Sequence, residues 1–223
     1  MQQWIVPEAS AEFVCAMEEV LDVYERPYSE QHPVVCLDES PHQLVSERRK
    51  GFINSKGIKR IDYQYKREGV ADVFMICEPK AGQRFIEIRD NHNHEQWANI
   101  VAYIAEELYR KAEHITLIED NLKTHRKAAL YKVFEPARAK AILNRITLVH
   151  TPTHGSWLNV AEIELSVLNR VALKQRTASK VELIAKIKAY EKEKNEKATP
   201  VNWQFTTKDA RVKLKQLYPK IKC

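Results

Sequence analysis

Glycine is scarce, five residues in 223, which excludes collagenous, low-complexity and glycine-loop architectures. There is no Gly-x-x-x-x-Gly-Lys phosphate loop and no Gly-x-Ser-x-Gly elbow, so nucleotidase and serine-hydrolase readings have no handle. The four cysteines, at 15, 36, 77 and 223, form no Cys-x-x-Cys pair; neither disulfides nor a zinc site are expected. Long apolar runs are missing too. The longest, such as Ile115-Thr116-Leu117-Ile118, fall far short of the ~20 residues of a membrane span, and the N-terminus lacks a signal pattern. The expectation is a protein of the cytoplasm. What is present, 44% hydrophobic and 30% charged residues, is ordinary for a globular chain and excludes disorder.

The net charge of +6 hides an asymmetry. Residues 1–120 carry 14 basic and 22 acidic side chains, whereas residues 121–223 carry 22 basic and 8 acidic, a surplus of 14. Single lysines in runs such as Glu191-Lys192-Glu193-Lys194 read as the solvated face of a helix. A surplus of that size over about a hundred residues points instead to a phosphate-bearing partner, nucleic acid first.

Residues 10–25 show apolar positions at helical spacing behind a serine cap. Val34-Val35-Cys36-Leu37 reads as a strand buried on both faces and ends in Asp38-Glu39. After a basic stretch from Arg48 to Arg60, the segments Ile61–Lys66, Val73–Cys77 and Arg84–Arg89 read as successive antiparallel strands. An amphipathic helix follows over Glu95–Tyr109. Two more buried runs, Ile115–Ile118 and Ile146–Val149, end in Glu119-Asp120-Asn121 and in His150 with a proline turn. Helices are expected over 158–173, 179–197 and Thr207–Leu217. Antiparallel strands first and strand–helix units afterwards describe an α/β mixed sheet covered by helices. The expected division is an N-terminal helical segment (1–32), a domain built on the sheet (33–175) and a basic C-terminal helical extension (176–223).

In such a sheet, ligands collect where strands end. Two buried strands deliver Asp38 and Asp120 to such ends. Either aspartate alone reads as a cap or turn residue, but clustered carboxylates repel unless a hard cation neutralises them, and magnesium takes such oxygen ligands. A third carboxylate comes from the helix near Leu158, where Glu162 and Glu164 both qualify. They lie about 160° apart around the axis, so only one can face a shared site, and periodicity does not choose. The pairs His92/His94 and His150/His154 have no cysteine partners and are expected to be structural or DNA-facing. Trp157 reads first as a packing anchor, with stacking on a base as the alternative.

Val35-Cys36-Leu37-Asp38-Glu39-Ser40-Pro41, Glu119-Asp120-Asn121-Leu122-Lys123-Thr124-His125 and Thr151-Pro152-Thr153-His154-Gly155-Ser156-Trp157-Leu158-Asn159-Val160-Ala161-Glu162 closely resemble the three acidic motifs of bacterial insertion-sequence transposases of the Tc/mariner superfamily. The stretch Asn202–Arg211 resembles the tail of that group. The resemblance implies a ribonuclease-H-like fold whose Asp38, Asp120 and Glu162 are both catalytic and metal-binding, holding two Mg2+ or Mn2+ ions. Glu162 is carried over because the family's Glu lies three residues after the Asn that matches Asn159. Asn121, His125, His154, Trp157 and Asn159 are implied as supporting residues, while the basic charge of the chain marks Arg48, Arg49, Lys50, Lys123, Lys174 and Arg176 as expected contacts to DNA.

Two departures stand out: Ser40 replaces a common lysine, and Glu119 replaces a more usual apolar residue and sets a further negative charge beside the site, pointing toward it or away from it. The implied activity is strand cleavage and strand transfer at the transposon ends of double-stranded DNA, by a homodimer, in the bacterial nucleoid. Family members usually carry helix-turn-helix modules ahead of the catalytic domain, whereas only about 34 residues precede the first strand here. A ribonuclease-H-like nuclease outside transposition and an inactive DNA-binding remnant are the rival readings.

Overall fold

In the computed structural model, residues 10–49, 51–60, 62–122 and 125–219 are described. Helix α1 (Ala11–Glu25) starts where the Ser10 hydroxyl accepts a hydrogen bond from the Phe13 amide, and it buries the stripe of Phe13, Met17, Val20, Leu21 and Tyr24. Strand β1 (Val34–Glu47) begins as the four-residue run that is buried on both faces. A two-residue pair, β2 (Phe52–Ile53) and β3 (Lys59–Arg60), lies in the connection to β4 (Tyr65–Glu78), which returns antiparallel to β1 with Cys36 opposite Cys77. β5 (Gln83–Arg89) forms a hairpin with β4. Helix α2 (His94–Tyr103) runs on into a π-helical turn at Ile104–Leu108. Then come β6 (Ile115–Glu119), helices α3 (Lys127–Val133) and α4 (Pro136–Arg145), and β7 (Ile146–His150).

The sheet order is β5-β4-β1-β6-β7, antiparallel through its first three strands and parallel from β1 to β7. Helices α5 (Val160–Val171), α6 (Lys180–Lys197) and α7 (Thr207–Lys213) complete the described chain. Strand alternation divides the core in two. Cys36 and Ile118 face a cluster shared with α1, α5, α6 and α7, while Val35, Leu37 and Leu117 face one shared with α2, α3 and α4. The architecture is the expected mixed sheet between helical layers, a ribonuclease-H-like fold. No helix among the described residues is long and apolar enough to cross a membrane.

Two expectations need correction. The segments Ile61–Lys66 and Val73–Cys77 are not separate strands: Tyr65–Glu78 is one strand, whose first six residues are solvent-exposed and so carry no burial pattern to read. Ile61 itself lies outside the described residues. The last helix stops at Lys213 and passes into a 3-10 turn at Lys215–Leu217.

Candidate active site

The parallel register pairs Cys36 with Ile118. Carried two residues further, it brings Asp38 and Asp120 to the same level on neighbouring strands, on the sheet face that packs against α5. Helix α5 supplies Glu162 from its first turn. All three carboxylates line one open cleft of about 490 Å3, together with Glu39, Ser40 and Asn159.

Asn159 sets the geometry between strand and helix. Its Oδ1 caps α5 by accepting the Ala161 amide at 3.1 Å, and its Nδ2 donates to the Leu37 carbonyl, one residue before Asp38, at 2.9 Å. The side chain is 1% exposed, so both bonds are made away from water. Asn159→Ala is expected to cost about 2 kcal/mol, by loss of a cap and exposure of an unpaired buried carbonyl. Asn159→Asp keeps the cap acceptor but not the donor to Leu37. Urea denaturation of both variants separates the two contributions. Ahead of α5, the loop is closed by Gly155, where a Cβ would stand 2.5 Å from Pro152 Cγ.

Glu164 goes elsewhere. It is buried and held by Arg84, Nε to Oε2 at 2.8 Å and Nη2 to Oε1 at 2.7 Å. Among the described residues Glu162 has no such cation, and its Oε2 is buried without a hydrogen-bond partner.

The electrostatics are those of crowded carboxylates. Burial pushes Asp38 up to about 7, and the charges of Glu39, Asp120 and Glu162 add to the rise, against a 3.0 Å hydrogen bond from the Glu39 amide. On the opposite sheet face, Glu119 is fully buried and raised by that burial to about 8, although His125 and the hydrogen bond from Trp97 Nε1, 2.8 Å, act the other way. His125 stands behind Asp120, with Nδ1 2.7 Å from Asp120 Oδ1 and Nε2 3.4 Å from Glu39 Oε1. Burial opposes its charge, but these carboxylates outweigh it and lift the ring to about 10.

The supporting residues are distributed around this centre. Asn121 and His154 line a separate hollow of about 300 Å3 beside α1, and His154 adopts the left-handed φ of 65° that non-glycine residues seldom take. Trp157 is 42% exposed and meets Phe205 edge-on, so it is only half an anchor. Arg48 and Lys174 are exposed, and Arg49 lies 4.0 Å from Asp62. Arg176 is already engaged, donating to the Asp62 carbonyl at 2.9 Å and sitting over the Tyr65 ring. Lys50 and Lys123 lie outside the described residues.

Sequence reasoning missed Glu39 as a partner of His125, and it missed Trp97 and Arg84. A signal existed for Glu119: a carboxylate in step with Leu117 on a buried strand requires a partner.

As ligands, the three cleft carboxylates fit a hard divalent cation by donor type and by the orphaned oxygen of Glu162. Among the described residues, however, no three His, Cys, Asp or Glu side chains stand close enough to cage an ion as they are. The fit is therefore one of donor chemistry and shared orientation.

Known proteins resemble the chain in the same region. Residues 33–184 match the model of the DDE superfamily endonucleases. The fold matches the crystal structure of the Mos1 mariner paired end complex with Mn at a TM-score of 0.62 and 14% identity, covering 89% of this chain and 60% of that one. It matches the catalytic domain of Mos1 mariner transposase at a TM-score of 0.55 and 11% identity, covering 87% and 96%. The chain thus spans about 60% of the transposase in the paired end complex and nearly all of the catalytic domain. No curated protein matches it in sequence. With more than half of its length, including both strand-end aspartates and Glu162, inside the family match, the chain belongs to the DDE superfamily of endonucleases.

Proposed function

We propose that the chain is the catalytic part of a transposase that cuts DNA strands at transposon ends and transfers them to a target, with Asp38, Asp120 and Glu162 as its metal-binding catalytic residues. The observation that carries this reading is the convergence of those carboxylates, from two parallel strand ends and one helix N-terminus, on a single open cleft. Two divalent ions, Mg2+ or Mn2+, would supply activation of the attacking oxygen and neutralisation of the phosphate. The chain's own residues do the positioning: Asn159 fixes α5 against β1, and His125 stands against Asp120 from behind. In-line phosphoryl transfer asks for little covalent help, so position and charge account for most of the catalysis.

The substrate in this reading is double-stranded DNA engaged by a homodimer. The 14-charge surplus of residues 121–223 supports a polyanion partner, and the structural relatives include a Mos1 paired end complex and a Mos1 strand transfer complex. Binding that rests on six or more phosphate contacts is expected to weaken by about 10^3-fold between 50 and 200 mM salt. Fluorescence anisotropy of a labelled duplex measures it, and a flat salt response would remove the basic half from the DNA interface.

Nicking of supercoiled plasmid by the full chain with Mn2+ or Mg2+, beside Asp120→Asn, tests the reading. Metal-dependent nicking that vanishes in the variant supports it. Tight DNA binding without nicking identifies an inactive remnant, and cleavage confined to RNA in hybrids identifies a nuclease outside transposition.

A further inference from the structure

Asp120 is held from behind, on the sheet face away from the cleft. The His125 ring is enclosed on three sides: Nδ1 lies 2.7 Å from Asp120 Oδ1, Nε2 lies 3.4 Å from Glu39 Oε1, and the ring stacks on Trp97 with centroids 5.7 Å apart and planes 18° from parallel. Trp97 is 0% exposed, and the single polar atom of its side chain donates to Glu119 Oε2 at 2.8 Å. Glu119 is itself 0% exposed and adjoins Asp120 in the chain.

A carboxyl group so deeply buried costs stability unless it is hydrogen-bonded, and the bond it receives here comes from the indole beside His125. Packing alone does not require it, because an apolar residue would fill the same position on β6. What Glu119 adds is direction. A buried indole with a single acceptor has one orientation, and the ring that stacks on it inherits that orientation.

We propose that Glu119 and Trp97 are positioning residues, whose hydrogen bond locks His125 and through it holds the Asp120 carboxylate in place for a divalent ion. The inference rests on the reading of Asp120 as a metal ligand. It parallels the way outer partners orient ligands in metal sites, where their loss weakens metal affinity by roughly 10- to 100-fold.

The test is a set of variants read by Mn2+-induced thermal shift of the full chain, a measure independent of DNA cleavage. Glu119→Leu strands the indole N–H, and Trp97→Phe strands the carboxylate, so each single variant is expected to be destabilised. The double variant Trp97→Phe/Glu119→Leu removes both stranded groups and is expected to melt above either single. Its half-saturating Mn2+ concentration is nevertheless expected to stay about tenfold above that of the unsubstituted chain. Glu119→Gln keeps an oxygen for the indole N–H and is expected to stay within about threefold, whether or not the double variant folds.

A double variant that regains both stability and the original Mn2+ requirement makes the pair purely structural and overturns the proposal. A Gln variant as impaired as the Leu variant overturns it as well, since the hydrogen bond would not be what matters. If the unsubstituted chain shows no Mn2+ response, the metal-site reading itself fails and this inference falls with it, an outcome distinct from a response that the variants leave unchanged.

Discussion

Glu162→Gln is expected to lower metal-dependent nicking by roughly 10^3-fold with little change in stability, and Glu164→Gln to do the reverse. The two residues are only two positions apart on α5, on nearly opposite sides of the helix, and they face different chemistry. Glu162 lines the cleft with Asp38 and Asp120, and its Oε2 has no partner among the described residues, so the amide removes a charge that the fold they form does not use. Glu164 forms a two-point ion pair with Arg84, both side chains being about nine-tenths buried. Converting it to the amide leaves the guanidinium buried with one neutral acceptor in place of the carboxylate, a change that costs about 3 kcal/mol. The loss spreads, because Arg84 also donates to the Gly82 carbonyl, while its backbone exchanges hydrogen bonds with Asn195 of α6. Glu164→Gln should therefore loosen the docking of α6 on β5 as well. Nicking assays at 25 °C beside urea melts of both variants decide the matter: an active Glu162→Gln, or an inactive but fully stable Glu164→Gln, would exchange their roles.

How far the site was legible in the sequence follows from where each residue's partner lies. The apolar runs at Val34–Leu37, Ile115–Ile118 and Ile146–Val149 are buried from both sides, so their composition alone marks them as the strands that became β1, β6 and β7. Asp38 and Asp120 are visible because each directly follows or nearly follows such a run. Choosing between Glu162 and Glu164 needed more than helical period, since the distinguishing partner, Arg84, is 80 residues away in sequence. Family resemblance pointed to Glu162, and the ion pair now gives Glu164 a different occupation.

The illegible parts have physical reasons as well. β1 and β4 extend as a two-stranded arm, in which Tyr65–Val70 is exposed throughout, and exposed strand residues need no alternation. Helices α3 and α4 leave no clear mark in the sequence, because each buries only two residues, Ala129 with Leu130 and Ala139 with Ile142, too few for an apolar stripe. The layer behind Asp120 was hidden for a third reason. Glu39, Glu119, Trp97 and His125 come from four separate segments, and a buried charge announces itself only when its partner is seen.

Asp38→Asn is expected to raise the melting temperature of the metal-free protein while abolishing the rise that Mn2+ produces. Asp38 is largely buried and pushed up to about 7, first by burial and then by Glu39, Asp120 and Glu162. Holding such a group ionised at neutral pH works against the fold, because Glu39, Asp120 and Glu162 repel it and the His125 ring stands against Asp120 and Glu39 rather than against Asp38. The amide keeps the shape, and its oxygen can still accept the Glu39 amide, which now meets Asp38 Oδ1 at 3.0 Å. It removes one of the repelling charges, so about 1 kcal/mol of stability is expected to return, roughly one pK unit's worth of interaction. The same substitution removes a ligand. An ion at 100 times its dissociation constant stabilises a folded protein by about 2.7 kcal/mol, and that increment should disappear. The opposite signs separate a site shaped for a cation from one in which the aspartate supports the fold: a structural Asp38 would melt lower as Asn in EDTA, and Mn2+ would not change the difference. Calorimetric scans of both proteins in EDTA and in Mn2+ give all four values, and the crossing of the two effects is what a carboxylate kept for its metal requires.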